Sequence, residues 1–242
     1  EEIEKARREL PADIFEREFQ ASFTSTSGLI YDNFKHATHV IPLYEPNPED
    51  YVVGSIDPGL HNPTAAILAA WDKDGVCRIF KEYYVEGKLA EENAKAIKAW
   101  SVPHKVAYWT IDRSSVRRDP TNGLSVYNKY IGSSVEPLCR PLVSAPNDPG
   151  SVWSGIDEVK KLFHINPLAG TPRMQICVQN HWTLWELGRY TRYKHRWHVE
   201  KNEEERPRKL HDHLMDAIRN MVMTRPWLRR DIRVLVPQPT GY

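Results

Sequence analysis

The sequence predicts an α/β domain built on a mixed β-sheet. Three strand-like segments, 51–57, 63–71 and 76–85, are joined by short loops, and this arrangement predicts an antiparallel meander. A fourth strand-like segment, 105–112, follows the helical segment 88–100, so a helical crossover allows it to lie parallel to the first strand. Because further helices follow, the order of elements predicts a sheet with antiparallel and parallel neighbours and flanking helices.

The chain before the meander carries little apolar core. Residues 1–20 are strongly charged and predict two short helices broken at Pro11, which indicates a linker or tail. The segment 21–34 is strand-like with a turn at Gly28, and 43–50 is a proline-rich loop. We therefore expect the domain itself to begin near residue 21.

The second half alternates turns with helical patterns. The stretch 113–135 is rich in turn residues, and 134–138 predicts a fifth strand. An amphipathic helix is predicted over 150–163, a short strand over 173–178 and another helix over 181–190.

A final helix closes the predicted domain. It begins near residue 209, continues to about residue 224 and ends before Pro226. The domain is thus expected to span 21–225, and 226–242 form a basic tail.

Composition restricts the class of protein. The 242 residues suffice for one large domain, and a net charge of +1 leaves room for a basic patch beside an acidic site. The three cysteines, Cys77, Cys139 and Cys177, lack zinc-site spacing and fit a reducing cytoplasm. No apolar run approaches the roughly 20 residues that span a membrane.

Two aspartates end two strands that we expect to be neighbours. Asp57 closes the first strand, and Asp112 closes the fourth. Ligands of open α/β sheets bind outside the carboxyl ends of the strands, although either residue alone can simply be a turn former. Two adjacent carboxylates repel each other, so the pKa of one of them would rise unless a cation neutralises their charge.

The closing helix carries a second acidic pair, Asp212 and Asp216, four residues apart. On a regular helix these side chains are neighbours and repel each other, so the pair indicates either a solvated face or a bound cation. His211 and His213 would then point to other faces of the helix. A helix packed beside the two strands could bring Asp212 to Asp57 and Asp112.

Converging carboxylates without cysteine favour hard ions such as Mg²⁺ or Mn²⁺. Three or four aspartates could hold two ions about 4 Å apart, the spacing of two-metal phosphodiester chemistry. One ion would activate a water, and the other would stabilise the leaving 3′ oxygen.

Four motifs in order resemble those of the C-terminal nuclease domain of the large terminase subunit of tailed bacteriophages, in the ribonuclease H-like superfamily. They are SIDPGLHNPTA, WTIDRSS, WELGRYTRYKHRW and KLHDHLMDAIRNMV. The earlier segment LPADIFEREFQASFTSTSGLIYDNF resembles the connection from the packaging motor to this nuclease. The resemblance covers nearly the whole chain.

The resemblance implies a ribonuclease H-like fold and a metal-dependent endonuclease that cuts double-stranded viral DNA concatemers during packaging. Asp57, Asp112 and Asp212 match the metal ligands of the family, and Asp216 matches an acid close to them. His213 stands where one branch of the family has an aspartate. The catalytic and metal-binding candidates are therefore these four aspartates.

The resemblance also implies partners and a location. They are double-stranded DNA, a terminase ATPase domain, the small terminase subunit and the portal protein, in the cytoplasm of the infected bacterial host, without a membrane. The sequence contains no GxxxxGK[ST] phosphate loop, so we expect a fragment without the ATPase half rather than a product of a split protein.

Several polar and basic residues near these motifs are candidates for contacts with DNA phosphates, which would give salt-dependent, sequence-tolerant affinity. They are His61, Arg113, Ser114, Arg117, Arg118, Arg208 and Lys209.

Three other hypotheses remain open at the level of sequence. The first is another ribonuclease H-like nuclease, such as a resolvase or transposase core. The second is an actin-like nucleotide-binding fold, in which a DPG turn also follows the first strand. The third is a non-catalytic module that docks on the portal or on DNA, to which the basic tail could contribute.

Overall fold

The computed structural model describes a sheet with helices on both of its faces. The predicted linker 1–20 and the tail after residue 226 lie outside the described residues. Within the part of the chain that the structure describes, no helix is long and apolar enough to cross a membrane. The described stretches are 28–118, 120, 123–146, 148–167, 170–192 and 207–226.

One mixed sheet organises the described residues. Its strands in chain order are β1 (Val40–Ile41), β2 (Tyr51–Asp57), β3 (Thr64–Trp71), β4 (Cys77–Val85), β5 (Tyr108–Ile111), β6 (Leu142–Ser144) and β7 (Met174–Cys177). In space their order is β1-β7-β4-β3-β2-β5-β6. The meander β2–β3–β4 is antiparallel, and β5 lies parallel to β2. The predicted mixed sheet is thereby confirmed.

Strand β3 shows why the sheet is covered on both faces. All of its residues are buried, and successive side chains point to opposite sides. Ala65, Ile67 and Ala69 belong to one hydrophobic core, whereas Ala66 and Leu68 belong to the other. A strand that is buried along its whole length requires a helical layer on each face.

The helices supply these two layers. In chain order they are α1 (His36–His39), α2 (Ala90–Ser101), α3 (Val126–Ile131), α4 (Ser151–Phe163), α5 (His181–Leu187) and α6 (His213–Met223). Helices α4, α5 and α6 contribute to the first core, and α2 and α3 contribute to the second. Helix α6 packs across β2, β3 and β5, which places its amino terminus beside the meander.

Three predicted elements are corrected by the structure. The segment 134–138 forms an isolated bridge at Pro137 and no strand, because Val135 is 93% exposed and contributes nothing to a core. The next strand is β6 instead. The stretch 113–135 contains α3 and a 3₁₀ turn (Arg113–Val116). The segment 21–34, as far as it is described, forms turns and one bridge at Leu29.

The closing helix begins later than the sequence predicts. His211 has a φ of 54°, in the left-handed region, and Asp212 has a φ of −123° and a ψ of 10°. Neither residue is therefore helical, and α6 starts at His213. This shift changes which side chains reach the sheet.

Candidate active site

The predicted pair of strand ends is present. Asp57 is the last residue of β2, and Asp112 directly follows β5. The two strands are parallel, and Ile56 pairs with Ile111, so both aspartates lie at the same edge of the sheet. This is the edge at which open α/β sheets bind ligands.

The loop after Asp57 is tightly folded. The Thr64 hydroxyl donates to the Gly59 carbonyl at 2.9 Å and accepts from the Gly59 amide at 3.1 Å. A Cβ on Gly59 would lie 2.2 Å from the carbonyl oxygen of Asn62. A side chain at this position would clash with that oxygen, so only glycine fits. The path of the loop after Asp57 is therefore fixed.

Buried hydroxyl groups connect the two strands to α6. The Thr110 hydroxyl donates to Ser55 Oγ at 2.6 Å, and Ser55 Oγ donates to the Ala217 carbonyl at 2.7 Å. Ser55 and Thr110 lie two residues before Asp57 and Asp112, respectively. The same contacts that join β2 and β5 thus fix the position of α6 relative to both aspartates.

Asp57 is a perturbed carboxylate. Its pKa is raised to about 6: burial is the largest cause, the hydrogen bond from His213 opposes it, and the negative charges of Asp216 and Asp112 add to the rise. His213 Nδ1 lies 3.1 Å from Asp57 Oδ2. Burial lowers the pKa of His213, but the contact with Asp57 outweighs burial and raises it. The sequence predicts that His213 points to another face of the helix than Asp212 and Asp216, and in the structure it contacts the strand-end aspartate, Asp57.

One basic side chain, that of Lys209, forms ion pairs with both Asp212 and Asp216. Lys209 Nζ lies 3.0 Å from Asp212 Oδ2 and 2.6 Å from Asp216 Oδ2. Asp216 also contacts Arg219 Nη2 at 3.0 Å. The predicted phosphate contact Lys209 is therefore engaged with the acidic pair in this structure, and its charge offsets their repulsion.

The other predicted DNA contacts are exposed on the surface. Arg113 Nη1 lies 3.1 Å from Ser144 Oγ, and the Ser114 amide donates to Asp112 at 2.8 Å. Asp112 therefore caps the 3₁₀ turn that carries both residues. The remaining candidates, which are also exposed, are His61, Arg117, Arg118 and Arg208.

Sequence reasoning missed the acceptor at the start of α6. Glu186, at the end of α5, is fully buried and accepts from the amides of Leu214 and Met215. Burial raises its pKa to about 8. Its only sequence signal was its place in the motif WELGRYTRYKHRW, since the contact joins residues far apart in the chain.

Carboxylate oxygens are the ligands that a hard cation prefers. In this structure, however, the carboxylates do not converge on one point. Asp212 is 5% exposed, and apart from the Lys209 ion pair its Oδ2 accepts no hydrogen bond from the described residues. A buried carboxylate oxygen whose partner is an exposed lysine is still a suitable ligand for Mg²⁺ or Mn²⁺. Among the described residues, no three His, Cys, Asp or Glu side chains form a group that could hold a metal ion.

Comparison with solved structures identifies the fold. The chain is similar to the P22 large terminase nuclease domain, with 23% identity over 83% of this chain and 94% of that one, at a TM-score of 0.62. It is similar to a large terminase from a thermophilic bacteriophage, with 22% identity over 81% of this chain and a TM-score of 0.59. It spans 45% of that terminase.

A more distant likeness involves a metal-bound structure. The large terminase nuclease from the thermophilic phage G20c, solved with bound zinc, matches 84% of this chain and 98% of its own at 12% identity, with a TM-score of 0.51. No family model and no curated protein sequence matches. At these identities the likeness establishes the fold, which is the one that the motifs predicted.

Proposed function

From the fold of the large terminase nuclease domains, which this chain shares, we propose that the protein is a divalent-metal-dependent endonuclease that cuts double-stranded viral DNA concatemers during genome packaging. The observation that carries the proposal is the adjacency of Asp57 and Asp112 at the carboxyl ends of two parallel strands. This arrangement supplies two carboxylates on a rigid support, as a metal-dependent hydrolase requires.

Asp57, Asp112 and Asp212 would hold the metal, with Asp216 one helical turn beyond Asp212. Two Mg²⁺ or Mn²⁺ ions, when bound, would activate a water and stabilise the charge on the leaving 3′ oxygen. Besides burial, the negative charges of Asp112 and Asp216 raise the pKa of Asp57, so the potential at this carboxylate is negative. His213 orients the Asp57 carboxylate through its contact with Oδ2.

The substrate would be held by its phosphates. Arg113, Arg117 and Arg118 are exposed on the segment after Asp112, and Arg208 is exposed before α6. Together with His61 and Ser114, they would contact phosphate groups at the site. Contacts of this kind position a duplex without reading its sequence, so binding should weaken steeply with salt.

The proposed role implies partners and a location. The chain would act with a terminase ATPase domain, the small terminase subunit and the portal protein, in the cytoplasm of the infected bacterial host. The residues after 226 would form a basic docking tail, and 1–20 would connect to the ATPase domain.

The test is plasmid cleavage with Mn²⁺ by Asp57→Ala and Asp112→Ala. Both variants should lose at least about 100-fold in rate, because each would lose a metal ligand while the fold is retained. Asp157→Ala, which removes an exposed carboxylate from α4, is the matched control and should cut normally. Full activity of both site variants would contradict the proposal.

Alternative functions have distinct outcomes in the same assays. A resolvase or transposase core would cut branched or terminal substrates far better than linear duplex. An actin-like nucleotide-binding domain would bind nucleotide in isothermal titration and would not cut DNA. A purely docking module would bind DNA or the portal and leave plasmid DNA intact.

A further inference from the structure

The amino terminus of α6 is held by a residue that lies outside it. The first amides of any helix lack partners within the helix, and a side chain at the preceding residue usually accepts from them. Asp212 occupies that position but makes no such bond. Its carboxylate is turned to Lys209 instead, at 3.0 Å.

Glu186 replaces Asp212 in this capping role. Its Oε2 accepts from the Leu214 amide at 2.8 Å and from the Met215 amide at 3.3 Å. These are the second and third residues of α6, the amides that a local cap would satisfy. Tyr84 Oη donates to Glu186 Oε1 at 3.0 Å and fixes the carboxylate from β4.

A second, partly buried carboxylate repeats the arrangement one helix earlier. Glu82, two residues before Tyr84 on β4, accepts from the Trp182 amide at 2.9 Å and from the Thr183 amide at 2.8 Å. These amides open α5, which ends at Leu187, directly after Glu186. Glu82 on β4 thus fixes the amino terminus of α5, and Glu186 on α5 in turn fixes the amino terminus of α6.

We infer that Glu186 is a positioning residue whose buried carboxylate fixes the first turn of α6, so that Asp212 keeps its place before the helix and His213 keeps its contact with Asp57. Because Glu186 caps the helix, the Asp212 carboxylate is not needed as a cap and faces the ammonium group of Lys209 instead. The first turn also carries His213, whose Nδ1 reaches Asp57 Oδ2. Any displacement of this turn would move both side chains.

The inference rests on the proposed function only in assigning metal binding to Asp212, and the structural part is tested separately. Amide hydrogen exchange of Leu214 and Met215 reports the cap without metal. Glu186→Leu should accelerate it at least about tenfold, since the acceptor is lost. Glu186→Gln should restore the wild-type rates, because its amide oxygen accepts from the same groups while its amide nitrogen donates to Tyr84 Oη.

Tyr108→Phe is the matched control at the other end of α6. It removes the contact between Tyr108 Oη and Thr224 Oγ1, which is 2.9 Å long and buried. The exchange rates of Leu214 and Met215 should stay unchanged in this variant. If Glu186→Leu does not fold, Tyr84→Phe provides the milder perturbation, and its exchange should accelerate several-fold.

Calorimetric titration with Mn²⁺ gives the second readout. Glu186→Leu should weaken binding about tenfold to 100-fold, the range for residues that orient metal ligands, whereas Glu186→Gln and Tyr108→Phe should bind as the wild type does. Unchanged amide exchange in Glu186→Leu, or in Tyr84→Phe where that variant is needed, overturns the inference. Wild-type protein that binds no Mn²⁺ contradicts the proposed function instead, and the exchange data still decide the role of Glu186.

Discussion

Replacing Glu82 by alanine should destabilise the protein through the amino terminus of α5. Glu82 accepts from the amides of Trp182 and Thr183 and from the Thr183 hydroxyl, all at 2.8–2.9 Å. Each buried donor left without an acceptor costs about 1–3 kcal/mol. The hydroxyl can rotate to another acceptor, whereas the two amides cannot, so we expect a loss of about 3 kcal/mol.

Equilibrium unfolding in urea at pH 7 measures this loss, with thermal unfolding as a second probe. At about 2–4 °C per kcal/mol for a chain of this size, the melting temperature should fall by about 6–12 °C. Glu92→Ala is the matched control, because Glu92 also accepts from a backbone amide, that of Leu89 at 2.8 Å, but in an exposed position. It should cost less than about 1 kcal/mol, since water replaces the lost acceptor. If both variants lost the same amount, burial could not be the cause.

Two further predictions concern charge. Burial raises the pKa of Glu82 to about 7 from an ordinary value of 4.5, so the folded state binds more protons than the unfolded state between these values. Stability relative to Glu82→Gln should therefore be highest below about pH 4.5 and decline as the pH rises through about 7, as urea unfolding from pH 4 to pH 8 would measure. Lys209→Met should strengthen Mn²⁺ binding several-fold in calorimetry, because no resident ammonium group would then compete for Asp212 and Asp216. Lys160→Met, which removes a remote ion pair, should leave Mn²⁺ affinity unchanged.

The central sheet could be predicted because its signals are local. Strands β2, β3 and β4 are seven to nine residues long, and their apolar runs end at turn residues. The edge strands β1 and β6 have only two and three residues, too few to show a period. Their pairing depends on neighbours that are distant in sequence, so the fifth strand was placed at the wrong segment.

The candidate site likewise has one part that could be predicted from the sequence and one part that could not. Asp57 and Asp112 could be located from sequence, because strand ends follow from strand lengths and parallel neighbours share an edge. The start of α6 could not, since it depends on a left-handed His211 and on a cap supplied by Glu186 from another helix. From its position as the first residue of α6, His213 contacts Asp57, a contact that the sequence did not indicate.

Directional contacts explain how α6 can present its acidic end accurately. The hydrophobic effect is not directional, so hydrogen bonds add a constraint on the position of the helix that apolar burial alone does not supply. Polar contacts fix α6 at three points along its axis. These are Glu186 at the first amides, Ser55 at the Ala217 carbonyl and Tyr108 at Thr224. Buried polar groups are costly unless all are satisfied, and a network that is satisfied in only one arrangement selects that arrangement. Glu186 and Ser55 act on the first half of the helix and therefore determine where the acidic end of α6 meets the strand ends, whereas Tyr108 holds the opposite end.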